Sequence, residues 1–388
     1  MHVAWINERA YGKGGAERYV HDTAAWLRER GVRSTLLHDV RSPVDRGYAA
    51  PFDGVFPGVD LRRQLRELAP DVIYVHQVAE GDAITAIASS PAPALRFFHD
   101  HDLFCLRGHK YTTVGHETCT RTVGLGCYAC LGFVRRAPSL VPLRLVSVSS
   151  LRRTHRDNQA LAGFVVGSRY MGEHVAAHGF DRAKIHVLPL AAQVPRNLAP
   201  ARRERDLVLF VGQLVRGKGV DVLLRALAAS RRGARLLVVG EGRQEHELRA
   251  LASSLRLGGR VTFTGRVSYE ALGTFYARAR CLAMPSRSPE TFGLAGLEAL
   301  SHGLPVIASD VGGMREWLDD GKNGIAVPSG DAASLARAID RLILDDDLAS
   351  AMSREAAATH RTRFLPQHHV ERLHSLLQQT RRQETGVA

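Results

Sequence analysis

No apolar run in this 388-residue sequence is long enough to span a bilayer, and no basic segment precedes an apolar core at its start. The expectation is a cytoplasmic protein. Cysteine is scarce, five in all, with four of them between Cys105 and Cys130. That argues against a small secreted domain stapled by disulfides. No zinc-finger spacing and no aromatic RNA-binding signature accompanies the arginines, and no stretch repeats another residue by residue. A hydrophobic content of 45% and a charged content of 23% belong to an ordinary globular protein, and the length suits two domains. The formal net charge of +13 is large. It suits nucleic acid, an anionic membrane face or polyanionic substrates, and equally a basic surface with no partner.

Strand-like and helix-like runs alternate along the chain, which predicts parallel sheets with helices on both faces. Residues 1–192 and 207–365 form the two predicted domains. A linker at 193–206 contains Pro195, Pro200 and a run of charges. A last helix falls within 366–388. His2 to Asn7 reads as the first strand. The loop Gly12-Lys13-Gly14-Gly15 follows, then a helix marked by Ala16, Tyr19, Val20, Thr23, Ala24 and Leu27. Such a strand, glycine turn and helix can admit a phosphate, or be a plain tight turn.

The stretch Pro285 to Pro305 carries the most chemistry. A short apolar run, Cys281 to Met284, reads as a buried strand, and a helix opens near Phe292 and Gly293. The first amides of a helix lack partners within it, and the macrodipole adds about half a positive charge there. Gly293 would let an anion approach the backbone. Glu290 precedes this helix and Glu298 lies within it, eight residues on. That spacing is a little over two turns, so the two carboxylates could address two parts of one extended ligand.

E-x-F-G-L-x-x-x-E from Glu290 to Glu298 is followed by A-L-S-H-G-L-P-V-I-A-S-D-V-G-G and then by E-x-x-x-D-G-x-N-G. This order resembles the C-terminal donor site of retaining glycosyltransferases of the GT-B fold, family 4. The resemblance implies two Rossmann-like, doubly wound α/β domains facing across a cleft, with a last helix crossing back to the first domain. It implies transfer of a sugar from a nucleoside-diphosphate sugar to a hydroxyl, with retention of configuration. Glu290 would bind hydroxyls of the donor sugar and Glu298 the ribose. Gly265, Arg266 and Val267 would hold the base. Lys218, in F-V-G-Q-L-V-R-G-K-G, and the amides of Phe292, Gly293 and Leu294 would stabilise the leaving diphosphate. Gly14 and Gly15, in G-G-A-E-R, would face the same diphosphate. The family usually has an arginine where Gln213 stands, a charge that Arg216 could supply. His99, in F-F-H-D-H-D, would lie close to the donor sugar, and the spacing H-D-x-x-x-x-C selects it over His101. No D-x-D metal motif of the other large glycosyltransferase fold occurs in a fitting context, so catalysis is expected to need no cofactor. An epimerase or hydrolase acting on nucleotide sugars is the alternative on the same architecture. A basic nucleic-acid-binding protein is the alternative from another class, and the ordered donor motifs argue against it.

Two segments stand outside this scheme. Cys105, Cys119, Cys127 and Cys130 lie in a loop with little apolar material to hold it. Four thiolates on a structural zinc would fix it, with His101, His109 or His116 able to replace one ligand. Two disulfides or free thiols are the other readings. Phe133 to Arg156 is basic, with Arg135, Arg136, Arg144, Arg152, Arg153 and Arg156. It reads as a solvated helix face and connecting loop, or as a guide for an anionic, lipid-linked acceptor at a membrane.

Overall fold

The computed structural model describes residues 1–12, 14–78, 81–136, 143–193 and 203–384. The chain divides into two compact units. The first comprises Met1–Gly108, Arg121–Leu190 and Pro366–Ala388, and the second His109–Thr120 and Ala191–Leu365.

The strands of the first unit are β1 His2–Asn7, β2 Arg33–His38, β3 Gly54–Pro57, β4 Val72–Val75, β5 Ala94–Phe97, β6 Val134–Arg136, β7 Leu143–Leu145, β8 Gly163–Val166 and β9 Ile185–Val187. Seven of them make one parallel sheet in the order β3-β2-β1-β4-β5-β8-β9. The sequence H-V-A-W-I-N explains why β1 lies near its centre. It is buried throughout, as a parallel strand covered on both faces must be. Its polar atoms have partners: the His2 ring bonds Thr35 Oγ1 at 2.9 Å, and Trp5 Nε1 donates to Ser34 Oγ at 3.0 Å. Phe133 to Arg156 contains more structure than its charge pattern predicts. It begins with the antiparallel pair β6-β7 and enters the helix Val148–Gln159, which Ser147 caps through the amide of Ser150.

The helix Gly15–Arg28 buries Tyr19, Val20, Thr23, Ala24 and Leu27, as its periodicity predicts. The helix Pro366–Glu384 belongs to the same unit and brings His369 to Tyr19. His369 Nδ1 donates to the Pro189 carbonyl at 2.8 Å, so Nε2 accepts from the Tyr19 hydroxyl at 3.1 Å. Tyr19 and Tyr74 hydroxyls lie 2.9 Å apart. Burial pushes the His369 pKa from 6.5 down to about 4. Between those values the unfolded chain binds a proton that the folded chain does not, so stability rises with pH across that window and is lost as pH falls through it. The unit is therefore expected to lose about 2 kcal/mol between pH 7 and pH 5 from this one group. Urea unfolding at the two pH values, in wild type and His369→Gln, measures it. An identical pH dependence in the variant would refute it.

The second unit holds β10 Leu207–Val211, β11 Arg235–Val239, β12 Val261–Gly265, β13 Cys281–Met284, β14 Val306–Ser309 and β15 Gly324–Val327. They form a parallel sheet in the order β12-β11-β10-β13-β14-β15. Val208, Phe210, Leu223, Leu227, Val238 and Ile339 are among the residues of its core. Asp331 caps the helix Ala332–Leu344 through the amides of Ala333 and Ser334. The chain winds one way from β10 through β11 to β12 and the other way from β13 to β15. The loops after β10 and β13 therefore leave the sheet at its topological switch point, where doubly wound sheets bind ligands. Among the described residues no helix is long and apolar enough to cross a membrane.

Candidate active site

The loop after β10 tightens into a 3-10 turn, Arg216–Lys218, and the helix Val220–Ala229 follows. Gly219 separates the two at φ +69°, and a Cβ there would lie 1.9 Å from the Pro285 carbonyl oxygen. Only glycine permits that approach to the loop after β13. The two loops are tied together. The Gly217 carbonyl accepts from the amides of Arg287 at 2.8 Å and Ser288 at 3.0 Å. Arg287 grips Asp221 with both terminal nitrogens at 2.6 and 2.7 Å. Burial alone would raise the Asp221 pKa, and the Arg287 fork outweighs it and holds the group below the usual carboxylate range.

This clasp brings Lys218 to Glu290. Lys218 Nζ donates to Glu290 Oε1 at 2.7 Å, and Ser286 Oγ donates to the same oxygen at 2.7 Å. The Glu290 carbonyl accepts from Gly313 N at 2.7 Å, and a Cβ on Gly312 would collide with that carbonyl at 2.2 Å. Glu290 is thus held through both its backbone and its side chain.

The helix Leu294–Ser301 begins directly after, with Gly293 at φ +87° as its N-cap and no side-chain cap. Trp317, fully buried, supports this turn. Its Nε1 donates to the Phe292 carbonyl at 2.7 Å, and its ring lies where a Cβ on Gly296 would be, 2.2 Å away. Glu298 is buried on this helix rather than being a surface charge, and Oε2 accepts from Tyr276 Oη at 2.9 Å. Burial, reinforced by Glu298, raises the Tyr276 pKa well above 10, so the phenol stays a donor. Trp317, Tyr276 and Ser286 carry no motif signal of their own. The one hint was Gly296, an isolated glycine inside a helical pattern.

The other expected donor residues of the second unit differ in their surroundings. Gln213 is exposed and uncharged. Arg216 Nη1 donates to His116 Nε2 at 2.7 Å. Gly265 ends β12 at φ +71°, and its carbonyl accepts from Gly240 N at 2.9 Å. Arg266 is exposed and 4.0 Å from Glu241, and Val267 is half-buried beside it.

Gly14, Gly15 and His99 lie in the first unit. Gly14 caps the helix Gly15–Arg28 with no side-chain bond, while Glu17 of the same motif is buried against Arg9 at 2.6 Å. His99 follows β5, and its Nε2 lies 2.9 Å from His76 Nδ1. Burial holds both imidazoles well below the usual range, Asp100 opposing it at His99. The pair is neutral, so one ring donates and the other accepts. His76, directly after β4, is not among the candidate residues read from the sequence.

The expected zinc site is not assembled. Cys105, Cys119, Cys127 and Cys130 form no disulfide, and among the described residues no group of three or more His, Cys, Asp or Glu could hold a metal ion. Cys119 belongs to the second unit, with its amide on the Lys110 carbonyl at 2.7 Å. The other three belong to the first unit, where Cys130 Sγ accepts from Arg121 at 3.5 Å. Their histidine substitutes are occupied elsewhere. His101 packs edge-on to His174, His109 stacks on Tyr111, and His116 bonds Arg216.

The sequence matches two family models, "Glycosyltransferase Family 4" over residues 13–192 and "Glycosyl transferases group 1" over residues 196–359. D-inositol 3-phosphate glycosyltransferase of Mycolicibacterium smegmatis is 34% identical over 389 residues, which cover 93% of this chain and 85% of that protein. The chain belongs to glycosyltransferase family 4. Other family 4 relatives match over shorter spans. The D-inositol 3-phosphate glycosyltransferase of Corynebacterium jeikeium is 37% identical over 52% of this chain and 54% of its own length. A GDP-mannose-dependent alpha-(1-6)-phosphatidylinositol monomannoside mannosyltransferase of Mycobacterium tuberculosis is 38% identical over 38% of this chain and 41% of its own. The chain thus spans about half the length of most of the curated relatives it matches. Among solved structures, Anabaena HepE in complex with UDP-glucose has a TM-score of 0.74 at 20% identity, covering 98% of this chain and all of that one. Sucrose-phosphate synthase from Thermosynechococcus elongatus has a TM-score of 0.72 at 20% identity, over 97% and 98% of the two chains. At that identity the likeness concerns the fold, which is GT-B.

Proposed function

We propose that this protein transfers a sugar from a nucleoside-diphosphate sugar to a hydroxyl acceptor with retention of configuration. The observation that carries the reading is the Lys218–Glu290 pair beside the uncapped start of the helix Leu294–Ser301, at the switch point of the second sheet. Glu290, an acceptor when ionised, reads hydroxyls of the donor sugar. Lys218 and the amides of Phe292 to Leu294 meet the charge that grows on the diphosphate as the glycosidic bond breaks. Glu298 takes the ribose, and the backbone around Gly265 to Val267 takes the base. The acceptor attacks the face that the diphosphate leaves, and a departing phosphate oxygen takes its proton. His99, neutral and paired with His76, orients sugar hydroxyls. The first unit recognises the acceptor.

Tyr276 follows from this assignment as the residue that orients Glu298. Tyr276→Phe is expected to weaken nucleoside diphosphate binding about tenfold, the scale of one bond to a charged group. Calorimetric titration measures it, and unchanged affinity would remove Glu298 from the ribose site.

The reading is tested by incubating the protein with UDP-, GDP- and ADP-sugars, first alone and then with acceptors. Diphosphate release only with an acceptor, and an axial or equatorial product linkage matching the donor, supports it. Release or epimerisation without any acceptor would overturn it in favour of a hydrolase or epimerase. Relatives named for inositol phosphate and phosphatidylinositol mannoside, together with the +13 charge, support an acceptor that is polyhydroxylated and phosphorylated.

Leu125 and Leu145 are each 79% exposed, with Leu131 and Phe133 exposed nearby in sequence. Arg152, Arg153 and Arg156 are exposed on the helix Val148–Gln159. This combination supports docking to an anionic membrane surface, each arginine contributing about 1 kcal/mol. Sedimentation is expected to rise with the anionic lipid content of vesicles and to fall with salt. Equal binding to neutral and anionic vesicles would exclude it.

A further inference from the structure

The segment His109–Thr120 comes from the middle of the cysteine-bearing loop yet belongs to the second unit. It is an ordered turn. Tyr111 and Thr118 form an antiparallel bridge, Thr112 N donates to the Glu117 carbonyl at 2.8 Å, and Glu117 N donates to Thr112 Oγ1 at 3.0 Å. Both ends of the turn are fastened to the loop that carries Glu290. Ser288 Oγ donates to the His109 carbonyl at 2.5 Å, and Thr118 Oγ1 donates to the Arg287 carbonyl at 2.7 Å.

The same turn reaches the phosphate side of the site. The Tyr111 ring covers Gly217, where a Cβ would lie 3.1 Å from its Cε1, and Tyr111 stacks on His109 with ring centroids 3.9 Å apart. Gly217 is the middle residue of the turn Arg216–Lys218 and is also held by the amides of Arg287 and Ser288. His116 takes φ +55°, a left-handed backbone that few non-glycine residues adopt and that costs free energy. In this conformation its Nε2 accepts from the Arg216 guanidinium at 2.7 Å.

We propose that the segment His109–Thr120 is a working part of the donor site, with His116 as the positioning residue that holds Arg216 ready for the diphosphate. The inference rests on the donor-site reading above. Arg216 is otherwise an exposed side chain in the same short turn as Lys218. An unrestrained guanidinium there would lose rotamer freedom on meeting an anion, and a pre-oriented one loses less. Imidazole suits this role because the neutral ring accepts from Arg216 through one nitrogen. A glutamate at 116 would hold Arg216 more strongly but would set a negative charge against the ligand's own.

The test uses UDP, GDP and ADP as probes, with their monophosphates as shorter counterparts, in the full chain. His116→Ala is expected to weaken the diphosphate that wild type binds by about tenfold and to leave its monophosphate within about twofold, since only the second phosphate meets Arg216. His116→Gln, whose amide oxygen can accept from Arg216, is expected to restore binding. In an Arg216→Ala background His116→Ala is expected to have no further effect. Thermal unfolding of each variant checks that the fold is intact. Wild-type diphosphate affinity in His116→Ala, an equal loss for monophosphate and diphosphate, or no rescue by glutamine would each overturn the proposal. A wild type that binds none of UDP, GDP, ADP and their sugars would overturn the donor-site reading itself, and this inference with it.

Discussion

Lys218→Ala is expected to lower turnover by about 10²-fold or more while the second unit stays folded. Breaking a glycosidic bond to a diphosphate concentrates negative charge on the departing oxygen. A fixed cation in a partly desolvated site is worth several kcal/mol there, and each 1.4 kcal/mol is tenfold in rate. Lys218 is well placed because it is one-third exposed and already held 2.7 Å from Glu290. Its removal also leaves Glu290, only 12% exposed at its side chain, without its cation. The effect should therefore fall on kcat at saturating donor and, more weakly, on diphosphate affinity. Initial rates with the best donor, beside a thermal melt, measure it. Wild-type turnover in the variant would sink the assignment of Lys218 to the leaving group.

Gly296→Ala is expected to destabilise the second unit by about 3 kcal/mol, the upper range for overpacking a filled core. The added methyl would stand 2.2 to 2.9 Å from three ring atoms of Trp317. Trp317 is fully buried and cannot retreat without breaking its bond to the Phe292 carbonyl. The damage should therefore reach the anion site. The amides of Phe292 to Leu294 should shift and diphosphate affinity should fall even below the melting temperature. Urea unfolding by tryptophan fluorescence gives the first quantity and calorimetry the second. A variant as stable as wild type would show that the Trp317 ring does not fill this site.

The alternation that predicts two doubly wound sheets was visible because parallel strands buried on both faces are short continuous apolar runs, as in Cys281 to Met284. The carboxylates and Lys218 were visible because their loops are built of glycines with particular tasks, such as Gly219 and Gly293. The residues that orient them were not. Tyr276 precedes Glu298 by 22 residues and Trp317 follows Gly296 by 21, and nothing in local periodicity joins them. The cysteine loop shows a different limit. C-x-x-C suggests a metal whenever thiols can converge, yet Cys119 sits in the turn that Thr118 and Ser288 fasten within the second unit. The strands β6 and β7 were missed because three residues each are too few for a period to be read.

The hydrogen bond between Tyr19 and His369 joins residues 350 apart. A ribosome adding about 10 residues per second makes the second partner roughly half a minute after the first. Throughout that interval the face that Val370, Leu373 and Leu377 will bury stays open on the first unit, for in the finished protein all three are fully covered. Translation delays the second unit in the opposite sense. His109 to Thr120 emerge early and must wait for Gly217, Arg287 and Ser288 before they have anything to hold. Nascent chains of intermediate length therefore carry two unfinished surfaces at once, one apolar and one polar. Chaperone occupancy on stalled chains should drop only after the last helix has cleared the exit tunnel.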